Sequence, residues 1–554
     1  MTVQNICALL ATPTPIANEV YHVLGYYKPG DGGGGDFYWD ATSNETPDYG
    51  TIFDTDTNAV CETQTISPNL TGRWKRLYNE PVNVKWFGAR GNWNGTSGND
   101  DVLYFQRAFS FLAATHTDTL YVPAGRYLFN SAVTLPSFLT LIGDSNGAAG
   151  LYPTLLVANN NTAVFTAASM QSVSIKSIGF TAVGAGKGVA YAYKQSNLTL
   201  YSARCLFDNC NIWSDMAGGF YGNFILTKWI NCIFGYLGNT KPTSFLPIYS
   251  KGNISALQSN ANTVEGCYIL HSGGSDTIYF EAGTDLVIRE CRFESCFADA
   301  TIRCLGIAKV NISDCYFENC NGIGTLYPII LSNDSTNATS CYAVSITGSY
   351  AQLSPNNLSF VRMLGAVGGI IFNNNRLTNL DNKNISSGIG GDNKGFSCFA
   401  GNRISGTPSS SYPKQGQIFP EEGTWTPELK FTSGTSNNIY EIQSGTYTRS
   451  GNMITASFKV KVTTVDTARA GVAYILLNNL PAAKTVTHEA YSGSIYNYSG
   501  VTLQTGFTQL GIGVASGTPN LHFMQNGSGS PALLLPAAGC VNGFSITGTI
   551  IYQV

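Results

Sequence analysis

The chain has 554 residues, 12% of them charged, and a formal net charge of −3. This length exceeds that of one ordinary domain, and the lack of any basic block argues against a nucleic-acid partner. No apolar run is long enough to span a membrane or resembles an early signal peptide, so we expect no membrane insertion and, for action outside the cell, release by a route such as lysis. The 14 cysteines form no CxxC pair and the five histidines have no ligand spacing, which predicts no metal or other cofactor.

The first predicted element is a helix in the second half of the segment from Val82 to Ala114. Asn99 or Asp100 would be its N-cap, and its buried side would carry Leu103, Phe105, Ala108, Phe109 and Leu112. Such a helix would cover the open edge of a sheet that begins after it. Two β-rich runs follow, Leu120 to Phe129 and Leu139 to Asp144, and they predict the first coils of a repeating fold.

A sequence repeat follows these runs. One position recurs with an apolar residue two places after it, at Ile178, Cys205, Cys232, Cys267, Cys291, Cys315, Ser349, Asn375 and Asn402. The steps between these positions are 27, 27, 35, 24, 24, 34, 26 and 27 residues. A period of this length, with several short strands in each repeat, predicts an all-β fold, a right-handed parallel β-helix in which each coil stacks on the last. Leucine-rich repeats are the alternative, but their sequence signature is absent.

Two consequences follow from stacking the coils about 4.8 Å apart. The repeated cysteines become a ladder of small core residues, which predicts free thiols because the spacing is wide for disulfides. The two long steps predict loops that leave the barrel and form the walls of a groove on its side.

Several segments resemble one known family. Phe87-Gly88-Ala89, the pair Asp100-Asp101 with the helix after it, Pro123 to Tyr127, and Leu141 to Asp144 resemble the pectate-lyase-type β-helix of bacteriophage tailspikes. Upstream, Val23 to Asp40 and Gly72 to Tyr78 resemble the head module that often precedes that β-helix. Downstream, Gly423 to Phe431 and Ser444 to Val462 are similar to a C-terminal β-sandwich of phage tail fibres and spikes.

The resemblance implies a domain organisation. We expect a head or neck module in residues 1–80, a linker and capping helix in 81–115, the β-helix with a polysaccharide groove in 116–415, and a β-sandwich for trimerisation or carbohydrate binding in 416–554. It implies a homotrimer that belongs to the virion, is made in the host cytoplasm, and docks on the phage tail through its N-terminal side. Because the head module begins after about twenty residues, either a longer anchor was removed or the spike docks differently.

The resemblance also implies a function, namely binding and usually cleavage of a bacterial capsular or O-antigen polysaccharide. Hydrolysis of such a polymer needs a carboxylic acid and a carboxylate on either side of the bond. The 43 residues from Asp276 to Glu318 contain eight acids, where the chain average would give between two and three. This cluster falls in the shortest coils, between the two long ones.

The first candidate site is an outward face around the run Ser275 to Gly283. With Ile278 and Phe280 inward, alternation turns Tyr279 and Glu281 outward. Stacking then predicts one surface of Tyr249, Lys251, Tyr279, Glu281, Arg303 and Arg362, with Asp276 and Asp299 at the strand entrances. Tyrosine rings suit sugar faces and arginines suit acidic sugars. We predict Glu281 and Asp276 as catalytic, and Tyr279, Arg303, Tyr249, Lys251, Asp299 and Arg362 as substrate-binding.

A second pair of acids, Glu294 and Glu318, is the alternative catalytic pair. They stack one rung apart, and Glu290 and Asp314 form a parallel pair in the preceding turn. Like charges at this distance favour protonation of one of the two, which a general acid requires. The opposing interpretation is that these are solvated surface acids balanced by Arg289 and Arg292.

Two other functions stay open at this point. A polysaccharide lyase would need a base and a group that neutralises a uronic-acid carboxylate, and Tyr279 with Arg303 have the right chemistry. A receptor-binding spike without enzymatic activity would need neither acid pair.

Overall fold

The computed structural model describes residues 1–12, 15–54, 71–79, 81–145, 154–213, 215–235, 245–252, 259–271, 273, 276–320, 327–332, 341, 343–352, 359–364, 369–378, 384–386, 396–400, 403–404, 421–450, 453–478, 480, 490–515, 518, 520–527 and 529–553. Its contacts divide the chain into two compact units. The first consists of Met1–Lys394 with Gly401–Pro413, and the second of Gly395–Ala400 with Lys414–Val554.

A small, mostly antiparallel sheet with one short helix opens the first unit. Its elements are β1 (Thr2–Val3), α1 (Ile6–Leu10), β2 (Val20–Val23), β3 (Gly35–Asp40), β4 (Ile52–Phe53) and β5 (Arg73–Leu77), with the strands in the order β1-β2-β3-β5-β4 within the described residues. The buried Arg76 donates to the carbonyls of Gly33 and Gly50 and lies between the rings of Phe37 and Trp86. Trp86 belongs to a 3₁₀ turn, Val84–Phe87, so this arginine joins the sheet to the segment that follows.

The predicted capping helix is present as α2 (Val102–Thr115), but two details of the prediction are wrong. The N-cap is Asp101 rather than Asn99 or Asp100, and Leu103 is 50% exposed instead of buried. The other predicted core positions are buried, and Phe105 packs its ring on Tyr127, Phe129 and Phe165 of the first coils.

Asp101 connects this helix to its surroundings. Its buried carboxylate accepts hydrogen bonds from the backbone amides of Arg90, at 2.6 Å, and of Gly91 and Leu128. Burial raises the pKa of Asp101 to about 7, and the three amide donors oppose that rise.

Short parallel strands form most of the first unit. In chain order, the strands between residues 82 and 404 are β6 (Val82–Asn83), β7 (Thr119–Val122), β8 (Gly125–Phe129), β9 (Val133–Thr134), β10 (Thr140–Gly143), β11 (Thr154–Ala158), β12 (Ala163–Ala167), β13 (Ser174–Lys176), β14 (Gly179–Ala182), β15 (Tyr191–Gln195), β16 (Ser202–Ala203), β17 (Leu206–Asp208), β18 (Asn211–Ile212), β19 (Gly218–Gly222), β20 (Phe224–Ile225), β21 (Lys228–Ile230), β22 (Ile233–Phe234), β23 (Leu246–Lys251), β24 (Thr263–Glu265), β25 (Tyr268–Leu270), β26 (Asp276–Gly283), β27 (Leu286–Arg289), β28 (Arg292–Glu294), β29 (Ala300–Ile307), β30 (Val310–Ser313), β31 (Tyr316–Glu318), β32 (Tyr327–Ser332), β33 (Val344–Thr347), β34 (Tyr350–Gln352), β35 (Ser359–Leu364), β36 (Ile370–Asn373), β37 (Arg376–Thr378), β38 (Asn384–Ser386), β39 (Phe396–Ala400) and β40 (Arg403–Ile404).

Three parallel sheets run along the stack of coils. We call them the first sheet (β6 and β7 through β36), the second sheet (β8 through β40) and the third sheet (β9 through β38), and each coil contributes one strand to each sheet. Equivalent apolar residues stack inside, as Ile288 on Ile312 in the first sheet and Phe293 on Phe317 in the second. The prediction of a parallel β-helix is therefore confirmed.

The predicted register is wrong at one coil. Cys205 was expected on the rung of Ile178 and Cys232, with Phe207 in the ladder of Phe180 and Phe234. Instead Phe207 pairs with Ile175 and Trp229 in the first sheet, and Ile212 fills that place in the second. The steps from Phe180 to Ile212 and from Ile212 to Phe234 are therefore 32 and 22 residues. Cys210, two places before Ile212, occupies the position that was predicted for Cys205. The longer coil has its additional residues between β14 and β15 and between β15 and β16, and β16 of this coil pairs with β20 of the next.

The two long coils are where the sequence predicts them. Phe234 pairs with Ile269, and Phe317 pairs with Ala351, across steps of 35 and 34 residues. The segments 236–244, 253–258, 321–326 and 333–340, on which the prediction of groove-walling loops rests, lie outside the described residues. Asn402, the last predicted rung residue, also lies outside the described residues, but Ile404 two places after it pairs with Leu377 as predicted.

The cysteine ladder has the predicted chemistry. The described free cysteines are all buried: Cys205, Cys210, Cys232, Cys267, Cys291, Cys296, Cys304, Cys315, Cys320, Cys341 and Cys540. Burial and neighbouring thiols raise the pKa of the thiols in this ladder well above the ordinary value, as for Cys232 and Cys267. Cys7, in the N-terminal sheet region, is disulfide-bonded.

The second unit is antiparallel. Its strands after β39 are β41 (Glu421–Gly434), β42 (Ile439–Ser450), β43 (Met453–Thr464), β44 (Arg469–Asn478), β45 (Ala490–Val501), β46 (Gln509–Ala515), β47 (Asn520–Gly527), β48 (Ser530–Leu534) and β49 (Cys540–Gln553). The sheet order is β44-β41-β42-β43-β49-β45-β46-β47-β48, and β44 also pairs with β47. The sheet therefore closes on itself like a barrel, around a core that includes Leu429, Phe458 and Phe523.

Candidate functional site

The first predicted site lies on the outer face of the third sheet. With Ile248, Ile278 and Ile302 directed inward, the residues after them stack outside as Tyr249, Tyr279 and Arg303. We call the column Lys194, Tyr221, Tyr249, Tyr279 and Arg303 the tyrosine row, since each residue pairs with the next across adjacent strands. Beyond Arg303 the column continues with Ile330 and then Arg362, so Arg362 lies two rungs away.

The tyrosines of this row stack on one another. The rings of Tyr221 and Tyr249 are 4.4 Å apart and inclined by 3°, and those of Tyr249 and Tyr279 are 4.7 Å apart and inclined by 9°. Both faces of Tyr249 are therefore covered, and this ring is not free to stack on a sugar as the sequence suggested. The tyrosine row therefore offers a bound sugar chain the edges of its phenol rings and not their faces. Burial raises the pKa of Tyr249 and of Tyr279, so both hydroxyls keep their protons near neutral pH.

Glu281 lies beside the row and is nearly buried. Its side chain is 10% exposed, and its Oε2 accepts a hydrogen bond from the Tyr279 hydroxyl at 2.8 Å. The ammonium of Lys251, its neighbour on β23, lies 4.0 Å from the same oxygen. A carboxyl group held this way has a fixed position, which acid–base catalysis requires.

Asp276 begins β26 and reaches the row from its other side. Its carboxylate lies 2.5 Å from Nε of Arg303 on the next strand, and its side chain is 8% exposed. The prediction that this residue reaches over from the strand entrance agrees with this contact. Asp299 lies in the bend before β29 and is half-buried. Asp276 and Glu281 are thus joined to neighbouring members of the row, Arg303 and Tyr279.

The alternative acids lie on a different surface, the outer face of the second sheet. Glu294 and Glu318 pair directly in register, and they accept hydrogen bonds from the hydroxyls of Tyr268 and Tyr316, each at 2.6 Å. An open cleft of about 440 Å³ adjoins Glu294, and it is lined by Glu290, Cys291, Arg292, Glu294, Asp314 and Tyr316. Asp276 with Glu281, on the third sheet, and Glu294 with Glu318, on the second sheet, are therefore two separate candidate sites. The four acids cannot act together as one site.

The sequence analysis missed two members of the row, Lys194 and Tyr221. Lys194 lies over the rings of Tyr191 and Tyr221, at 5.3 and 5.8 Å from their centres. A repeat search centred on the outward tyrosines would have found the steps from Lys194 to Tyr221 and from there to Tyr249. The wrong register at Cys205 hid this pattern, because it displaced the neighbouring coil.

Two further searches bear on cofactors and membranes. In the described ranges, no group of three or more His, Cys, Asp or Glu side chains is arranged to hold a metal ion. No helix in that part of the chain combines the length and the apolar character that a membrane span needs.

Comparison with known families decides the identity of two regions. Residues 2–79 match the phage tail protein small four-stranded β-sheet domain, and residues 81–343 match the rhamnogalacturonase A/epimerase, pectate lyase-like family. The chain joins a phage tail domain to a pectate-lyase-like domain. The resemblance to tailspikes is thereby confirmed, and the two matches meet between β5 and β6. Curated protein sequences give no match.

Solved structures show the same fold over nearly the whole length. The tailspike of Acinetobacter phage vB_ApiP_P1 superposes with a TM-score of 0.58 at 16% identity, over 100% of this chain and 98% of that one. The Dettilon tailspike gp208 gives a TM-score of 0.51 at 13% identity, over 85% of this chain and 94% of that one. At these identities the similarity concerns the fold, and the pectate-lyase-like domain must be assigned a chemistry from its own residues.

Proposed function

We propose that the chain is a bacteriophage tailspike that binds a bacterial surface polysaccharide and hydrolyses it within the polymer. The observation that carries this proposal is the tyrosine row with a nearly buried carboxyl group on either side, Glu281 and Asp276. The phage tail domain supports a place in the virion, attached through the N-terminal side. Assembly as a homotrimer is part of the same proposal, as the family resemblance implies.

The surroundings of the two acids suggest different roles. The ion pair with Arg303 stabilises the charged form of Asp276, which suits a general base that activates water. Among the described residues, the contacts of Glu281 with the Tyr279 hydroxyl and the Lys251 ammonium both fall on Oε2, which leaves Oε1 to transfer a proton to the leaving group. The row between them would bind the sugar chain through phenol hydroxyls, with Lys251 and Arg303 contributing charge.

We expect these two acids to lie too far apart for retention and therefore to act with inversion of configuration. Five residues along an extended strand separate their Cα atoms by about 16 Å, and both side chains lean towards the row. Inverting enzymes need a carboxyl separation of about 6.5–9.5 Å, whereas retaining enzymes need about 5 Å. Glu294 and Glu318, one rung or about 4.8 Å apart, would suit retention instead.

Elimination is the second candidate function, and the adjacency of Tyr279 and Arg303 is the observation in its favour. A lyase would require the Tyr279 hydroxyl to lose its proton. That hydroxyl already donates to Glu281, and burial raises its pKa. Arg303 is also engaged by Asp276. Both contacts favour hydrolysis over elimination.

The test uses the purified full chain and a panel of capsular and O-antigen polysaccharides. Hydrolysis should create new reducing ends without a product that absorbs in the near ultraviolet, and such a product would show elimination. E281Q and D276N should each lower kcat by about 100-fold or more, the usual share of acid–base catalysis. D285N is the matched control and should cleave at nearly the normal rate, because Asp285 is a half-exposed acid just after β26 that pairs with Lys309. Normal cleavage by E281Q would remove this assignment, and binding without cleavage by the unaltered protein would identify a receptor-binding spike.

A further inference from the structure

Lys194 occupies the end of the tyrosine row that lies nearer the N-terminus. It pairs in register with Tyr221, which leads through Tyr249 to Tyr279. Three rungs therefore separate Lys194 from Tyr279, a distance of about 14 Å along the β-helix. A sugar bound at Lys194 would lie several units from the bond that is cleaved next to Glu281.

The part of the sequence that contains this lysine has an excess of positive charge. Between residues 145 and 264 the sequence has seven lysines and arginines but two acids, Asp208 and Asp215. Asp215 lies 3.9 Å from Lys187. The other cations of the site, Lys251 and Arg303, face Glu281 and Asp276.

Lys194 itself has aromatic neighbours. Its ammonium lies over the rings of Tyr191 and Tyr221, and among the described residues it forms no salt bridge. Since ring contacts do not neutralise its charge, the ammonium is available to an anionic group placed on the outer face of the row.

We propose that Lys194 binds a carboxylate carried by the polysaccharide, in a specificity subsite on the N-terminal side of Glu281. This inference rests on the proposed function and names the substrate class, an acidic polysaccharide. The carboxylate would belong either to a uronic acid or to a pyruvyl substituent, and the phenol edges of Tyr221 and Tyr249 would contact the sugars between the subsite and the cleaved bond. Lys194 is thus a specificity residue, and Glu281 and Asp276 carry out the proton transfers.

The experiment compares K194M with K176M on the polysaccharide that the unaltered protein shortens. Lys176 is the matched control because it belongs to the same coil but to the first sheet. On the native polymer K194M should raise KM about tenfold, the loss of one charge-assisted contact, while kcat stays within about twofold. K176M should match the unaltered protein, and K194R should recover most of the affinity.

The same polymer after chemical reduction of its carboxyl groups provides the decisive comparison. On the reduced polymer, K194M and the unaltered protein should have equal KM values. Mild acid, which removes pyruvyl groups but leaves uronic acids, then distinguishes the two sources of the carboxylate. A normal KM for K194M on the native polymer, or an equal increase on both polymers, would overturn the subsite. Failure of the proposed function has a different signature, namely no cleavage by the unaltered protein or full cleavage by E281Q.

Discussion

Asp276 and Arg303 lie 27 positions apart in the sequence, yet the carboxylate of the first is 2.5 Å from Nε of the second. Stacking of β26 on β29 creates this pair, and neither residue has a sequence neighbour that could replace it. The pair fixes the candidate base at one side of the tyrosine row. The contribution of this ion pair to the stability of the fold can therefore be measured separately from catalysis.

We predict that R303M destabilises the protein by about 1–3 kcal/mol, because it removes the cation that lies 2.5 Å from the nearly buried carboxylate of Asp276. The double variant D276N/R303M should be more stable than R303M, since the buried negative charge is then removed as well. Urea unfolding of the four proteins in a double-mutant cycle measures this coupling. Strictly additive effects would mean that the ion pair contributes nothing to the fold.

The stereochemistry of the product distinguishes the two acid pairs. If Asp276 and Glu281 act, the new reducing end should form with inverted anomeric configuration, because their wider separation leaves room for a water molecule. Proton NMR of the first product formed reads the configuration before mutarotation. Retention would favour Glu294 and Glu318, and E318Q would then abolish turnover while E281Q would not.

The buried thiols should be inert in the native protein. Hydrogen bonds with neighbouring thiols, together with burial, hold the pKa of Cys291 and Cys315 well above the ordinary value, so little reactive thiolate is present at pH 8. Treatment with iodoacetamide followed by peptide mass spectrometry should find both residues unlabelled in the native state and labelled in guanidinium. Rapid labelling of Cys291 in the folded protein would contradict the closed ladder.

Asp101 should make stability depend on pH. The buried carboxyl has a pKa raised to about 7, whereas an unfolded aspartate titrates near about 4. The native state therefore holds a proton that the unfolded state has lost between these values, and stability should fall as pH rises from about 4 to about 7. The expected change is on the order of a few kcal/mol at most.

The measurement is the denaturant midpoint of unfolding at several pH values for the unaltered protein, D101N and D100N. D101N should flatten the profile, and the exposed neighbour Asp100 provides the control whose replacement keeps the slope. A profile that stays parallel in D101N would assign the pH dependence to other groups.

Much of the β-helix was predictable because its core repeats. A parallel stack places equivalent apolar residues in one ladder, so the period, the inward Phe293 and Phe317 and the outward Tyr279 and Glu281 all follow from alternation and spacing. The prediction of free cysteines has the same basis, since small apolar residues recur at one core position. From Cys267 to Leu377 every described rung agrees with the predicted register.

Other features depend on contacts between coils that no local pattern records. The coil from β13 to β17 has longer turns before β15 and β16 than the next coil has at the equivalent places, which is why Phe207 lies in a different sheet from the one predicted and why Lys194 and Tyr221 escaped notice. Mutual stacking of the tyrosines closes the ring faces, and the ion pair draws Asp276 towards Arg303. Alternation along one strand determines whether a side chain points inward or outward. Which residue lies beside that side chain on the next rung depends on the number of residues in the whole coil between the two. Only the assembled stack settles that length.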